Sequence, residues 1–312
     1  MTGVLIGPVV SGNVRTVMGD INPSQLGVTY VHEHLIIDSQ IVAELFPHIY
    51  LPSVDEAVAE AETCREAGVT TMVDAMPYGG NYLDKLRQVS RRTGLQVIAS
   101  TGLHTEKYYP DDTPIESARF SADVVAGCGV FKAATGPDGI NPRARRLFAA
   151  MAETHLETGV PIITHCEDGR GAVAQIELLT SLGVPLNRVV ISHTDKVPDP
   201  VYHRDMLQTG VNLEYDQALR QAAGMQTTPQ LLASMIEEGF LPQLMLGTDG
   251  ARRSLWRTLG GSPGLAYLAT EYRQVLEAAG VGQHELRAVF VANPARWLPL
   301  ATTTTQPPRP PR

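Results

Sequence analysis

Only three of the 312 residues are cysteine, and Cys64, Cys128 and Cys166 stand far apart with no CxxC pairing. That excludes a disulfide framework and a zinc–thiolate site, and it fits a reducing, cytoplasmic setting. Positive charge is also short, with 25 Lys and Arg against 33 Asp and Glu and a formal net charge of −8. Nucleic acid and anionic membrane surfaces need clustered positive charge, so neither is expected as the main partner. No apolar run approaches the roughly 20 residues that a membrane span requires. The N-terminus has no basic region, and Gly7-Pro8 breaks its apolar stretch, so no secretory signal is expected. Aromatic residues make up only 6%, which argues against a large aromatic pocket. No GxGxxG opens a helix after the first strand, so a nucleotide-binding doubly wound sheet is disfavoured.

What remains is an ordinary folded composition, 43% hydrophobic and 19% charged. Strand-like runs at 28–34, 69–74, 95–101, 129–134, 160–165, 188–193, 211–215 and 243–248 alternate with helical patterns at 53–67, 80–93, 114–126, 141–158, 170–182, 199–209, 228–239 and 263–279. Several of these helices end in Gly directly before the next strand, as a left-handed C-cap requires. Repeated βα units predict an α/β fold with one (β/α)8 TIM barrel over residues 1–300. Residues 1–20 read as a β-hairpin, Leu5–Val10 against Val14–Met18 with Ser11-Gly12-Asn13 as its turn, plugging one barrel end. A short helical piece at 283–290 and the stretch 293–298 are expected to dock on the barrel. The Thr- and Pro-rich tail 301–312 cannot bury a core and is expected to be disordered.

In such a barrel, chemistry sits at the C-terminal ends of the strands. The first strand, Val28-Thr29-Tyr30-Val31-His32-Glu33-His34, ends in two histidines two residues apart, and the strand period points both imidazoles to one side. Lys132 closes the fourth strand, His165 the fifth, His193 the sixth and Asp249 the eighth. The intervals fit one βα unit per strand: three units from His34 to Lys132, one to His165, one to His193 and two to Asp249. Neutral imidazoles and a carboxylate converging on one mouth suit zinc or a related first-row divalent ion. Lys132 is the odd member, since an ammonium repels cations. Carboxylated by CO₂, it becomes an anionic carbamate whose two oxygens can bridge two metals.

These segments resemble the phosphotriesterase-like family of the amidohydrolase superfamily over residues 12–298. The likeness is carried by Val14-Arg15-Thr16-Val17 with Gly19-Asp20, Val31-His32-Glu33-His34-Leu35, Gly129-Val130-Phe131-Lys132-Ala133-Ala134-Thr135, Thr164-His165, Ser192-His193 and Gly247-Thr248-Asp249. The resemblance implies a binuclear site: His32, His34 and Asp249 on the inner metal, His165 and His193 on the outer one, and carboxylated Lys132 with a hydroxide bridging the two. Zinc is the first expectation, with manganese, iron or cobalt as alternatives. Asp249 would take the proton of the attacking hydroxide and pass it toward His193 or the leaving group.

Substrate choice must come from the βα loops. Arg252, Arg253 and Arg257 follow Asp249, and guanidinium pairs bidentately with phosphate or carboxylate. Lys107, Tyr108 and Tyr109 after the third strand, Asp195 and Lys196 after the sixth, and Glu214, Tyr215, Asp216 and Arg220 after the seventh are further polar candidates, at least half of them expected to be solvated loop residues. Of the histidines outside the ligand set, only His104 is kept as a substrate contact, and Arg143, Arg145 and Arg146 read as surface charge. The Arg loop and the His193–Asp199 stretch look most like the family's lactonases acting on sugar lactones, some of them phosphorylated. The expected partner is a small anionic or polyhydroxylated molecule, with a homodimer as the default assembly. The rival readings are phosphotriester or carboxylester hydrolysis by the same hydroxide, a mononuclear deaminase barrel, which would leave Lys132 without a ligand role, and a non-catalytic barrel used for binding, which would predict missing ligands.

Overall fold

The computed structural model describes residues 12–77 and 82–301. It opens with a hairpin of β1 (Val14–Thr16) and β2 (Gly19–Ile21). Eight strands follow: β3 (Thr29–Glu33), β4 (Thr71–Asp74), β5 (Gln96–Gly102), β6 (Cys128–Thr135), β7 (Ile162–Cys166), β8 (Val189–Ser192), β9 (Asn212–Tyr215) and β10 (Leu244–Leu246). They pair in chain order and all in parallel. Past β10, Thr248 and Asp249 both donate backbone N–H groups to His32 O of β3 at 3.1 Å, which draws the last strand onto the first. The architecture is the α/β TIM barrel expected from the periodicity.

The helices outside it are α1 (Gln40–Leu45), α2 (Val54–Glu66), α3 (Tyr82–Thr93), α4 (Ser117–Ala126), α5 (Pro142–Thr158), α6 (Ala172–Ser181), α7 (Pro200–Gln208), α8 (Ala218–Gln221), α9 (Thr228–Glu237) and α10 (Glu271–Ala278), followed by the short α11 (Gln283–Arg287) and α12 (Asn293–Trp297). Two features depart from the sequence reading. The stretch after β3 holds α1 and a turn at Pro47–Ile49, neither of which shows enough periodicity to be predicted. The helix expected at 263–279 is split into a turn at Leu265–Ala269 and α10, with Thr270 between them at φ −112° and ψ −101°. The cause is Glu60 of α2: this fully buried carboxylate accepts the N–H groups of Arg257, Thr258 and Leu265, tethering that loop before a helix can start.

The barrel interior is layered by the two-residue strand period. Val31, Val73, Ile98, Val130, Ile163, Val190 and Met245 form an apolar layer, closed from below by Val14, Leu26, Trp297 and Leu298. The hairpin thus plugs the floor, but its strands are Val14–Thr16 and Gly19–Ile21, and the expected arm Leu5–Val10 lies outside the described residues. The C-terminal segment docks there too, with Asn293 Nδ2 donating to Leu241 O and Leu244 O at 2.7 Å. Leu300 and Ala301 donate to Asn13 O and Gly159 O, so the chain is still pinned at 301, and the remainder of the tail lies outside the described residues.

One step up each strand, the inward positions turn polar. Lys132 follows Val130, His165 follows Ile163, Ser192 follows Val190, and Glu214 lies between the outward-packed Leu213 and Tyr215. Strict alternation in β3 would turn His32 away from the side taken by Val31. The β3–β4 register shifts between Tyr30 and Glu33, and this irregularity lets His32 reach Lys132 and Ser192 across the barrel.

Candidate active site

The C-terminal end of the barrel opens into a cavity of about 370 Å³ lined by His32, His34, His104, His165, His193 and Asp249, with Lys132 buried beneath. His34, His104, His193 and Asp249 lie just beyond their strands rather than on them. His193 (φ 67°) and Asp249 (φ 44°) both take the left-handed backbone conformation that non-glycine residues seldom adopt. These turns aim their side chains back over the barrel mouth. Gly247, at the inward position before Asp249, has no room for a side chain, since a Cβ there would lie 2.6 Å from Glu214 Oε1 and 2.8 Å from His32 Cβ.

His34 Nε2 lies 3.0 Å from Asp249 Oδ1 and His32 Nε2 lies 3.9 Å from the same oxygen. The ring centroids of His32 and His193 are 5.0 Å apart, and those of His165 and His193 4.4 Å. Lys132 Nζ is 3.3 Å from His32 Nε2. Burial pushes His32 far below the usual imidazole range, with the Lys132 charge adding to it. Burial and the neighbouring His193 push His165 down to about 3, and burial lowers His193 as well. These rings are therefore neutral at physiological pH, the form that binds metal. Burial brings Lys132 down to about 8, against the raising pull of Asp249 and Glu214.

The donor set fits a cation. Ligand atoms of His32, His34 and Asp249 lie within 4.8 Å of one another, as do those of His32, His193 and Asp216, and the buried Nδ1 of His34 has no hydrogen-bond partner among the described residues.

A set of buried acids supports these ligands, at positions whose sequence context reads as loop polarity. Asp216 Oδ2 sits 2.6 Å from His193 Nδ1 and 3.8 Å from His32 Nδ1, and it accepts the His193 backbone N–H at 3.1 Å. Burial raises the Asp216 carboxyl, but His193 outweighs it and holds the group below the ordinary range. Glu214, 3.3 Å from His32 Nδ1, is driven well above that range by burial and by the Asp216 charge. Asp195 accepts from Asp216 N, Gln217 N and Thr228 Oγ1, and burial with the Asp216 charge raises it to about 7. None of the three is a solvated loop residue. The signal was present in Asn212-Leu213-Glu214-Tyr215-Asp216, where polar and apolar residues alternate as in a strand whose polar side faces inward. Glu33 was passed over between its two histidines; its carboxylate receives Thr248 N at 3.1 Å and helps lock the closing segment onto β3.

The rim residues divide in the same way. Lys107, Tyr108, Lys196, Arg220 and Arg252 line the cavity, together with Phe46, His48 and Glu167, which the sequence reading did not select. Arg220 is committed to Asp249: its Nη2 lies 2.8 Å from both Oδ2 and the backbone oxygen. Burial would raise the Asp249 carboxyl, but Arg220, His34, His193 and His32 together hold it well below the ordinary range. Arg253 does not line the cavity; its guanidinium is bound by Glu56 of α2 at 3.0 and 3.2 Å and by Tyr50 O. Arg145 and Arg146 are exposed. Arg143 is not mere surface charge, since it reaches His104 O at 3.4 Å and stacks over the Tyr109 ring. The Tyr109 hydroxyl in turn accepts the backbone N–H of His104 at 2.9 Å. His203, outside the ligand set, braces the loop after His193 through Thr194 O and Val197 O.

A TIM barrel whose mouth gathers imidazoles, a carboxylate and a buried lysine has the architecture of a metal-dependent hydrolase. The family model described as "Phosphotriesterase family" matches residues 12–298, and the chain belongs to that family of metal-dependent hydrolases. A phospho-furanose lactonase of Mycoplasmopsis synoviae is 26% identical over 324 residues, covering 91% of each chain. A lactonase structure from Listeria monocytogenes matches with a TM-score of 0.84 at 27% identity, covering 92% of this chain and 99% of that one. An organophosphorus hydrolase structure from Deinococcus radiodurans matches with a TM-score of 0.79 at 28% identity, covering 95% and 100%. Among the described residues, no helix is long and apolar enough to cross a membrane.

Proposed function

We propose that this protein is a binuclear metal-dependent lactonase that opens sugar lactones, including those carrying a phosphate. The observation that carries the reading is the make-up of the cavity: a polar, multiply charged chamber with Lys107, Lys196 and Arg252 on its rim and, among the described residues, only Phe46, Ile49, Met76, Ala251 and Tyr108 as apolar or aromatic wall. That lining suits a small polyhydroxylated or anionic ester better than a bulky apolar one. The relatives named as lactonases support it.

His32, His34 and Asp249 would hold one divalent ion and His165 and His193 the other, with Lys132 as a carbamate between them. Bound, such a pair supplies hydroxide at neutral pH and a Lewis acid for the ester carbonyl. The fit rests on Lys132: fully buried beneath the histidines, with Nζ 3.3 Å from His32 Nε2 and no carboxylate within ion-pair distance among the described residues, its amine is pushed by burial toward the neutral form that adds CO₂. Asp249 is the proton acceptor, oriented by Arg220 and His34. Asp216 fixes the His193 ring by its Nδ1. Lys196 and Arg252 face the position of an anionic substituent.

The test is metal analysis of the purified protein together with hydrolysis of sugar lactones with and without a terminal phosphate. Two metals per chain and a preference for the phosphorylated lactone are expected. Less than one metal per chain, with no activity after restoring divalent ion and bicarbonate, would refute the binuclear reading. Phosphotriester hydrolysis is the second reading, favoured by the match to the organophosphorus hydrolase; a paraoxon rate exceeding that of every lactone would select it.

A further inference from the structure

His104 stands in the chamber wall next to the proposed ligands without being one of them. It is 6% exposed, and its ring packs edge-on against His165 with centroids 4.4 Å apart. Outside the ligand set and the apolar Ile49 and Met76, it is the buried residue of the lining among the described residues.

The end of β5 fixes this residue from several sides. Gly102, at φ 99°, bends the chain over the mouth where a Cβ would lie 2.1 Å from Lys132 O, and Leu103 N donates to that same oxygen at 3.1 Å. The backbone of His104 is then clamped by the Tyr109 hydroxyl, which accepts its N–H at 2.9 Å, and by Arg143 Nη1, which donates to its carbonyl at 3.4 Å. The ring is turned back on its own loop: Nδ1 accepts the Thr105 N–H at 2.8 Å and lies 3.1 Å from Thr105 Oγ1. A ring nitrogen that accepts a backbone N–H carries no proton, so the imidazole proton sits on Nε2. Nδ1 is occupied, and Nε2, protonated, has no lone pair for a metal. What the ring has left is one N–H, for which no hydrogen-bond partner exists among the described residues. A buried N–H without a protein partner is satisfied by water or by a ligand.

We infer that His104 is a substrate-binding residue whose Nε2–H donates a hydrogen bond to an ester oxygen of the bound lactone. The inference rests on the lactonase reading above. Depth decides which part of the substrate this donor meets. Lys107 and Arg252 are exposed and Lys196 is half-buried, so a charged substituent is met at the rim. The ester has to reach the buried histidines, and that is the level of His104. Ester oxygens accept hydrogen bonds and cannot donate them, which matches a nitrogen that can only donate. Because the donor is neutral, the contact is blind to the charge of the substituent, and the chamber grips the ester and the substituent by separate means.

The test reads the ring directly. Nitrogen–proton NMR correlations of the zinc-loaded protein carrying isotope-labelled histidine, with the His104 signals identified by their loss in His104→Gln or His104→Leu, should show Nδ1 bare and Nε2 protonated. The Nε2–H resonance should move downfield on titration with ribonate. A proton on Nδ1, or a resonance unmoved by saturating ribonate, overturns the inference. In kinetics, His104→Leu should lower kcat/KM on the order of 10-fold, equally for ribono-γ-lactone and its terminal phosphate ester, with metal content unchanged. A loss confined to one of the two lactones, no loss on either, or a metal content that drops with the substitution also overturns it. A wild type whose Nε2–H shifts with ribonate yet opens no lactone overturns only the lactonase reading.

Discussion

Replacing Asp216 with Asn separates support of the metal ligands from support of the fold. Asp216 is fully buried, 2.6 Å from His193 Nδ1 and 3.8 Å from His32 Nδ1, so one carboxylate serves two imidazoles. Asn keeps the volume and an acceptor oxygen but loses the charge that holds the Nδ1–H tautomer and strengthens the opposite nitrogen as a ligand. Loss of such an outer partner lowers metal affinity by about 10- to 100-fold, or about 1.4–2.8 kcal/mol. The effect on the metal-free fold has the opposite sign. The Asp216 charge raises both Glu214 and Asp195, and burial penalises all three acids, so neutralising it relieves repulsion. Chelator competition should show weaker binding while the melting temperature of metal-free Asp216→Asn, followed by circular dichroism, stays level or rises. Unchanged metal affinity with a melting temperature lowered by more than about 4 °C would refute the reasoning and make Asp216 a packing residue.

Three further outcomes follow from the same geometry. Gly247→Ala forces a methyl group against Glu214 and His32; such overpacking costs about 1–3 kcal/mol, and both thermal stability and metal affinity should drop, whereas normal values would show that the mouth has slack. Asp195 has a carboxyl at about 7 in the folded protein against an ordinary 3.8, so between those values the folded state holds a proton the unfolded chain has released. Stability of the metal-free protein should fall as pH rises through that window and level off above it, and Asp195→Asn should flatten the melting-temperature profile. Arg252→Gln should raise KM for a phosphorylated lactone on the order of 10-fold or more, while Arg253→Gln, held by Glu56 outside the cavity, should leave that KM unchanged; the reverse pattern would move the anion contact to Arg253.

The barrel was legible because periodicity and helix-ending glycines are local signals repeated along the chain. Strands such as Ile162–Cys166 and Val189–Ser192 announced their active ends by a polar residue closing an apolar run. What stayed hidden depended on contacts between distant segments. Nothing near Glu60 indicates that it will capture the loop at 257–265, and nothing in the Arg252-Arg253 pair says that Glu56 will draw one of them away. The irregularity in β3 is likewise invisible, because it exists only in the pairing with β4. Asp216 and Glu214 are visible in the sequence, but polar residues after a short strand are more often solvated than buried.

The closure of the last strand onto the first carries a consequence for synthesis. His32 emerges early and Asp249 late, and the hydrogen bonds joining Thr248 and Asp249 to His32 O exist only when both ends of the barrel are present. Trp297 and Leu298, which seal the floor, come later still. A nascent chain therefore carries its histidines before Asp249 exists, and the two can come together only in the finished fold. The ligand group of His32, His34 and Asp249 is thus assembled only when the barrel has closed.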